Sequence, residues 1–259
     1  MSAVSEVLQV NKDSGRGSLI GYYPAGYPTI DDSVESLVAM AENGCDVLEV
    51  GVPYSDPVMD GIIIQEATEQ ARAAGFKLDD LFEVVERVRS RVDTPILVMS
   101  YWNPVFRYGL EEFASALVES GAQGMITPDL VPDEAANWIE TSERLGLDRV
   151  FLVAPSSSDE RVLTNSDISR GFVYSVSTMG ITGERAQLDA LAKKLTARVK
   201  SVSTTATCVG VGISTAEQVR EVNSYSDGAI VGTAFIAAYR NSGLEGLALK
   251  CRELASGLG

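Results

Sequence analysis

The stretch DVLEVGVPYSDPVMDG, residues Asp46 to Gly61, shows most clearly how this chain folds. It opens with an apolar run interrupted only by Glu49, and it continues into a segment rich in proline and aspartate that cannot extend a strand. The pattern predicts a buried strand over Val47–Gly51, typical of a parallel sheet, followed by a loop that carries Asp60. An ionised carboxylate in such a strand lacks water, so Glu49 is held by an arginine or backbone amides, is protonated, or lines a cavity.

Strand and helix patterns alternate on both sides of this stretch. Before it, a short leading helix is predicted with Val4, Leu8 and Val10 on one side, and the strand SLIGYYPAG is followed by the amphipathic segment TIDDSVESLVAMAENG. After it, IIIQEATEQARAAG and LDDLFEVVERVRS predict two helices in one crossover, so an extra helix follows the second strand. The other predicted strands are 95–101, 123–127, 148–155, 171–178, 207–214 and 227–235, and the last predicted helical region is 244–254.

Eight strands that alternate with helices favour one fold class. No linker or low-complexity tract divides the chain, so residues 1–259 are expected to form a single (β/α)₈ TIM barrel domain of the α/β class. An open doubly wound sheet is the alternative. Neither GxGxxG after the first strand nor GxxxxGK[ST] occurs, so the usual nucleotide-binding motifs of open sheets are missing.

The charge and composition limit the possible partners. A net charge of −15 in 259 residues argues against binding to nucleic acid or to an anionic membrane, because both require a basic surface. An anionic small molecule remains possible, since backbone amides can bind phosphate in an acidic protein. The beginning of the sequence does not look like a signal peptide and no apolar run approaches a membrane span, so a soluble, cytoplasmic protein is expected.

The absence of histidine narrows the chemistry. It excludes the usual Ser-His and Cys-His nucleophile pairs and most zinc and non-haem iron sites, so no metal site is expected. Proton transfer must then use Asp, Glu, Lys, Tyr or Cys. The three cysteines, Cys45, Cys208 and Cys251, are widely spaced and are expected to be reduced thiols.

The two acids of the second βα unit are the candidate catalytic groups. In a barrel the active site lies at the C-terminal ends of the strands, where Glu49 ends its strand and Asp60 follows in the loop. Apolar neighbours should raise the pKa of Glu49, so that it can transfer protons near neutrality. Asp60, in a polar loop, should stay ionised and accept a hydrogen bond from a substrate.

Glycines at three late strand ends predict a phosphate site. GITG, GVGIS and VGTA begin at Gly180, Gly210 and Val231. Glycine lets backbone N–H groups approach an anion, and the helix that follows adds its dipole. Each motif alone is also explained by a tight turn. The tyrosines near strand ends, Tyr22 and Tyr101 among them, either wall a pocket for a flat substrate or belong to the core.

LEVGVPYSDPVMDG, together with GITG, GVGIS and IVGTA in this order, resembles the tryptophan synthase alpha subunit family. The resemblance covers essentially the whole chain. It implies a (β/α)₈ barrel that cleaves indole-3-glycerol phosphate by a retro-aldol reaction into indole and glyceraldehyde 3-phosphate, with no cofactor in this chain. It also implies a partner, the tryptophan synthase beta subunit, which binds pyridoxal phosphate, receives the indole and forms a complex of two alpha and two beta subunits.

The resemblance also implies roles for individual residues. Glu49 matches the acid/base that takes the glycerol hydroxyl proton and protonates the indole ring carbon, and Asp60 matches the carboxylate that holds the indole N–H. Thr182 matches a threonine of a mobile loop that helps to position this aspartate. The substrate-pocket positions are Tyr22, Ile64, Tyr101 and Tyr174. The phosphate-binding positions are Gly183, Gly212, Gly232 and Thr233, where Thr233 replaces a common serine.

Two positions depart from the family pattern. Ile62 follows Gly61 where the family commonly has proline, which predicts a more mobile loop and a less firmly placed Asp60. Val211 replaces a frequent aromatic residue, which predicts a looser wall of the indole pocket.

Two other readings stay open from the residues alone. One is a different phosphate-binding barrel, such as a sugar-phosphate isomerase or an aldolase of tryptophan or histidine biosynthesis. A Schiff-base aldolase would need a lysine at a strand end, whereas Lys77, Lys193, Lys194 and Lys200 fall in predicted helices or at their ends. The other reading is a non-catalytic chain that only activates a beta subunit, against which the intact Glu49 argues.

Overall fold

The computed structural model describes residues 2–176, 185–210 and 212–259, without the side chains of residues 185–188. All strand pairs found in these residues are parallel. The strands are β1 Leu19–Pro24, β2 Val47–Gly51, β3 Ile96–Met99, β4 Gly124–Ile126, β5 Asp148–Val150, β6 Leu152–Val153, β7 Val173–Val176, β8 Thr207–Gly210 and β9 Gly228–Val231.

The sheet curls into a nearly closed barrel. Its strand order is β5-β4-β3-β2-β1-β9-β8-β7-β6, and the two ends of this order, β5 and β6, are consecutive segments of one stretch of chain. β5 pairs with β4, whereas β6 pairs with β7. The predicted strand over 148–155 is therefore present but interrupted at Phe151, and the TIM barrel fold predicted from the sequence is confirmed.

Helices connect the strands on the outside of the barrel. Those in the described residues are α1 Ala3–Asp13, α2 Ile30–Glu42, α3 Ile62–Ala73, α4 Leu78–Arg89, α5 Trp102–Tyr108, α6 Leu110–Ser120, α7 Ala136–Leu145, α8 Asp159–Ile168, α9 Arg185–Val202, α10 Ala216–Asn223 and α11 Thr233–Ala255, with a 3₁₀ turn at Pro132–Glu134. α1 and α4 are the leading helix and the extra helix that the sequence predicted.

The helices differ from the sequence prediction at two places. The short helix α5 was not predicted, because seven residues carry too little periodicity. The last helix begins at Thr233 rather than near Leu244, and Ser242 and Gly243 leave helical geometry inside it. This kink breaks the apolar period, so only the second half of α11 was recognisable in the sequence.

Helix α1 closes the N-terminal end of the barrel. Its Val4 and Leu8 are buried in one cluster with strand residues of the barrel interior such as Ile20 and Leu97. Val10, which was expected on the same side, is 60% exposed, because a residue two positions after Leu8 points away from the buried face. With this end plugged, an open cavity is left at the opposite end, where the strands terminate.

None of the described helices is long and apolar enough to cross a membrane. The three cysteines are free and buried.

Candidate active site

A cavity of about 460 Å³ opens at the C-terminal ends of the strands. Apolar side chains such as Met99, Leu152 and Ile230 form most of its walls. Most predicted site residues line it: Tyr22, Glu49, Asp60, Ile64, Tyr174, Gly212, Gly232 and Thr233. The barrel thus brings together residues that lie far apart in sequence, in the kind of concave and largely apolar space that binds small molecules.

Glu49 is the buried acid of this cavity. It lies on β2 opposite Tyr22 of β1 and Leu97 of β3, and only 1% of it is exposed. Its Oε2 atom has no hydrogen-bond partner within the described part of the chain. Burial, and secondly the charge of Asp60, raises the pKa of Glu49 to about 8, which is the direction predicted from its strand.

Asp60 faces the same space from the loop after β2. Burial raises the pKa of Asp60 to about 6, whereas a hydrogen bond from Tyr101 lowers it. The Tyr101 hydroxyl lies 3.4 Å from Oδ2 of Asp60 and also accepts a 2.9 Å hydrogen bond from the backbone N–H of Met59. Tyr101 therefore supports the loop that carries Asp60.

The two acids occupy different protonation states near neutrality. With a pKa of about 8, Glu49 is mostly protonated at pH 7 and can donate a proton. With a pKa of about 6, Asp60 is mostly ionised and can accept a hydrogen bond. Such a separation of pKa values between neighbouring carboxyls assigns one to acid chemistry and the other to charge stabilisation.

Tyr22 and Tyr174 flank the acids. Tyr22 is buried and Tyr174 half-buried, and the pKa of each is raised, first by burial and then by the charges of Asp60 and Glu49. Both phenols therefore remain neutral, as walls that can also donate hydrogen bonds. Tyr101, predicted as a third wall, does not line the cavity and lies behind Asp60.

Glycines make room for these rings. A Cβ atom on Gly51 would lie 2.2 Å from the Tyr22 hydroxyl oxygen, and one on Gly210 would lie 2.7 Å from that of Tyr174. Sequence reasoning did not assign this role to either glycine. The available signal was a glycine within or ending a strand pattern, which often marks a close approach.

The other end of the cavity is suited to an anion. Gly212, with a φ of +66°, lines it together with Gly232 and Thr233, and Thr233 is the first residue of α11. The N-terminus of this helix therefore points its partial positive charge and free N–H groups toward the cavity. Ser214, close to the start of α10, lines the same end and was not singled out in the sequence.

Three sequence predictions lie outside the described residues. These are the roles of Thr182 and Gly183 and the effect of Val211 on the pocket. In the described residues, no group of three or more Cys, Asp or Glu side chains could hold a metal ion.

A parallel barrel with a protonated and an ionised carboxyl at its C-terminal mouth has the architecture of (β/α)₈-barrel enzymes. The family model for the tryptophan synthase alpha chain matches residues 8–255, and the chain belongs to this family. The tryptophan synthase alpha chain cleaves indole-3-glycerol phosphate, which is a lyase activity. The family resemblance inferred from the sequence is thereby confirmed.

Individual relatives agree along the whole chain. The tryptophan synthase alpha chain of Leifsonia xyli is 52% identical over 257 residues, which cover 99% of this chain and 98% of the relative. The crystal structure of tryptophan synthase from M. tuberculosis in its aminoacrylate-bound form superposes with a TM-score of 0.93 at 43% identity, with full coverage of both chains. The tryptophan synthase alpha subunit of Legionella pneumophila gives a TM-score of 0.89 at 31% identity, covering 99% of this chain and 98% of that one.

Proposed function

We propose that this chain cleaves indole-3-glycerol phosphate with Glu49 as the proton-transfer group and Asp60 as the carboxylate that holds the indole N–H. The reaction is a retro-aldol cleavage that releases indole and glyceraldehyde 3-phosphate. Tyr22, Ile64 and Tyr174 are proposed to contact the indole ring and the glycerol chain. Tyr101 is proposed to act on the substrate site through Asp60.

The proton balance requires only one carboxyl. Protonated Glu49 donates to the ring carbon that bears the glycerol chain, and ionised Asp60 stabilises the positive charge that develops at the indole N–H. The bond between ring and chain then breaks, and its electron pair restores the aromatic ring. Glu49, now ionised, takes the proton of the chain hydroxyl as the aldehyde forms, so the enzyme returns to its starting state.

The phosphate is proposed to bind at the end of the cavity formed by Gly212, Gly232 and Thr233. No lysine or arginine lines the described part of the cavity, so backbone N–H groups and the dipole of α11 would supply the attraction. Gly183 is proposed to complete this site and Thr182 to help position Asp60, as the family resemblance implies.

One observation carries the assignment of the acids. Among the residues that the structure describes, Glu49 is buried without a basic partner in a cavity that it shares with Asp60. A purely structural glutamate would be expected to pair with an arginine or with backbone amides. The burial of an unpaired carboxyl is costly, and a proton-transfer role accounts for it.

The test measures indole release by the purified chain and by the variants Glu49→Gln and Asp60→Asn. Each variant should keep its fold, judged by circular dichroism, and lose a factor of about 10²–10⁴ in turnover. Glu119→Gln, at an exposed position on α6, should match the unsubstituted chain. Near-normal turnover of both cavity variants would refute the proposed roles.

The two alternative functions have distinct readouts in the same assay. A Schiff-base aldolase would be trapped by borohydride with its substrate, but no lysine lines the described cavity, and neither 177–184 nor position 211 contains one. A non-catalytic activator would stimulate a beta subunit while the unsubstituted chain released no indole at all.

A beta subunit of tryptophan synthase is the proposed partner, in a complex of two alpha and two beta subunits. Exposed apolar residues support this: Val58 and Ile62 follow β2, Phe106 follows β3 and Val131 follows β4. These three strands are neighbours, so their loops lie side by side around one part of the cavity mouth. Such a patch on an acidic protein is typical of a protein interface.

Substitution of the patch tests the partnership. Phe106 is 74% exposed, so Phe106→Ser should weaken binding to a beta subunit about tenfold or more, with little effect on the fold. Val10→Ser is the matched control, because Val10 is 60% exposed on α1 at the closed end of the barrel. Equal affinities of the two variants, measured by calorimetric titration, would place the interface elsewhere.

The remaining parts of the proposal concern the chain as a whole. We propose that residues 1–259 form one domain, that this chain needs no cofactor for its own reaction, and that pyridoxal phosphate belongs to the partner. A cytoplasmic location is proposed because the three cysteines are free and buried rather than paired.

A further inference from the structure

A single arginine of α11 contacts the first turn of α3. Nη2 of Arg240 donates to the backbone oxygen of Ile63 over 3.2 Å, and Nη1 lies 2.6 Å from Oε2 of Glu66. Nε of the same guanidinium donates to the hydroxyl of Tyr27 over 3.0 Å. One side chain therefore connects three parts of the fold: α11, the start of α3 and the segment after β1.

This turn of α3 is directly joined to the loop of Asp60. Gly61 is the cap residue of α3 and accepts a hydrogen bond from the N–H of Gln65, whose side chain donates to the backbone oxygen of Asp60 over 2.8 Å. Ile64, in the same turn, lines the cavity. A shift of this turn would therefore move both the backbone of Asp60 and one wall of the cavity.

The side chain of Tyr27, whose hydroxyl accepts the hydrogen bond from Nε of Arg240, is held rigidly. Tyr27 is 3% exposed and packs in an aromatic cluster with Tyr23 and Tyr239, with ring centroids 6.0 and 6.2 Å from its own. The planar guanidinium can satisfy several acceptors at fixed angles, which a lysine cannot do. The ion pair with Glu66 is partly exposed and contributes little stability by itself, so the effect of Arg240 is mainly geometric.

Arg240 also lies on the helix that forms the anion end of the cavity. α11 begins with Thr233, and Ala237, almost one turn before Arg240, still lines the cavity, whereas Arg240 does not. The guanidinium thus fixes the distance between the helix that would bind the phosphate and the loop that would hold the indole N–H.

We propose that Arg240 is a positioning residue for Asp60, acting through the first turn of α3. This inference rests on the proposed function, because it matters for turnover only if Asp60 takes part in the reaction. Arg240 itself touches no substrate in this scheme. Its loss should therefore lower kcat more than it changes KM.

The experiment compares Arg240→Met, Arg240→Lys and Arg252→Met in the full chain. Arg240→Met keeps the apolar stem but loses all three hydrogen bonds, and kcat should fall about tenfold while KM changes less than about twofold. Arg240→Lys keeps the charge and part of the hydrogen bonding, so its kcat should lie between those of Arg240→Met and the unsubstituted chain. Arg252→Met is the control, because Arg252 lies on α11 beyond the kink and contacts Asn43 rather than α3.

Hydrogen exchange separates positioning from general stability. In Arg240→Met the amides of residues 62–66 should exchange faster, while those of the barrel strands should be unchanged. Wild-type kcat in Arg240→Met, or a loss of kcat explained by the unfolded fraction in circular dichroism, would overturn the inference. If the unsubstituted chain released no indole, the proposed function would fail, whatever the role of Arg240. Unchanged exchange of residues 62–66 in Arg240→Met would by itself show that Arg240 does not hold the first turn of α3, and it would overturn the inference.

Discussion

The hydroxyl of Tyr101 joins Asp60 to the backbone of its own loop. Its oxygen accepts a hydrogen bond from the Met59 N–H and lies 3.4 Å from Oδ2 of Asp60. The Tyr101 ring is stacked on Tyr54, with centroids 5.2 Å apart, and is only 3% exposed. A rigid aromatic side chain of the neighbouring strand end thus positions Asp60 and lowers the pKa of its carboxyl.

Tyr101→Phe should change the pH dependence of the reaction. The hydrogen bond from Tyr101 lowers the pKa of Asp60, against burial that raises it, so its removal should raise that pKa further. Because Asp60 must be ionised, the acidic limb of the kcat/KM profile should move to higher pH, and kcat at neutral pH should fall several-fold.

The control for this change is Tyr108→Phe, which removes a hydroxyl bonded to Asp79 outside the cavity. Ionisation of the substrate phosphate affects the pH profiles of all enzyme forms alike. A difference between the acidic limbs of the two variants therefore reflects the ionisation of a group of the enzyme. An acidic limb at the same pH in both would contradict the proposed coupling of Tyr101 to Asp60.

Glu49→Gln should stabilise the protein while it lowers turnover. The folded state raises the pKa of Glu49 from 4.5 to about 8, so between these pH values the folded state keeps a proton that the unfolded chain has lost. The contribution of Glu49 to the stability of the unsubstituted chain is complete below about pH 4.5 and declines toward pH 8. Glutamine is neutral throughout, so its advantage should grow with pH and reach about 2 kcal/mol or more at pH 8.

Urea unfolding at pH 5 and pH 8 measures this difference. Within the described part of the chain, the titratable groups that interact with Glu49 are Asp60, Tyr22 and Tyr174, and the two tyrosines stay neutral over this range. Glu119→Gln, at an exposed position on α6, is the control for the exchange of a carboxyl for an amide. A gain of the same size at both pH values would mean that the carboxyl of Glu49 is not neutral in the folded state.

The importance of Glu49 could be predicted from the sequence because its main cause is local. A glutamate within an apolar strand must be buried, and burial is the largest cause of the rise in its pKa. The role of Tyr101 could not be predicted in the same way. Its hydroxyl contacts Asp60 across 41 positions of sequence, and the pattern around Tyr101 indicates only a strand end.

The same distinction applies to the fold. The alternation of strands and helices predicted the barrel because each element carries its own periodic pattern of apolar residues. The contacts of Gly51 with Tyr22 and of Arg240 with Ile63 depend on which strands and helices become neighbours, and this information is not local.

Ile62→Pro should stabilise the loop after β2. Ile62 is the first residue of α3, where the N–H has no partner within the helix, and it is 60% exposed. Gly61 before it has φ −71° and ψ 160°, which suits a residue that precedes proline. Proline should therefore raise the free energy of unfolding by about 0.4–1 kcal/mol, chiefly by restricting the unfolded chain.

Ile62→Ala is the matched control for this substitution, since it also removes the side chain but keeps a free φ. Urea unfolding and limited proteolysis of the loop should both rank the proline variant above the alanine variant. The reverse order would show that the N–H of Ile62 or its φ matters to the folded loop.

Gly210→Ala should impair the site through Tyr174. The added Cβ would lie 2.7 Å from the Tyr174 hydroxyl oxygen and 3.1 Å from Cε1, so the ring must move away from the strand end. Overpacking of this kind costs about 1–3 kcal/mol, and a displaced ring would also narrow the cavity. We expect a lower free energy of unfolding and a reduced kcat/KM. Tyr174→Phe removes the atom in closest contact, so Gly210→Ala should cost less in that background than in the unsubstituted chain. Gly61→Ala is the control for glycine replacement itself, because a Cβ there meets no atom within 4 Å and its φ is negative. Equal costs of Gly210→Ala in both backgrounds would show that the close approach of Tyr174 does not determine the requirement for glycine at this strand end.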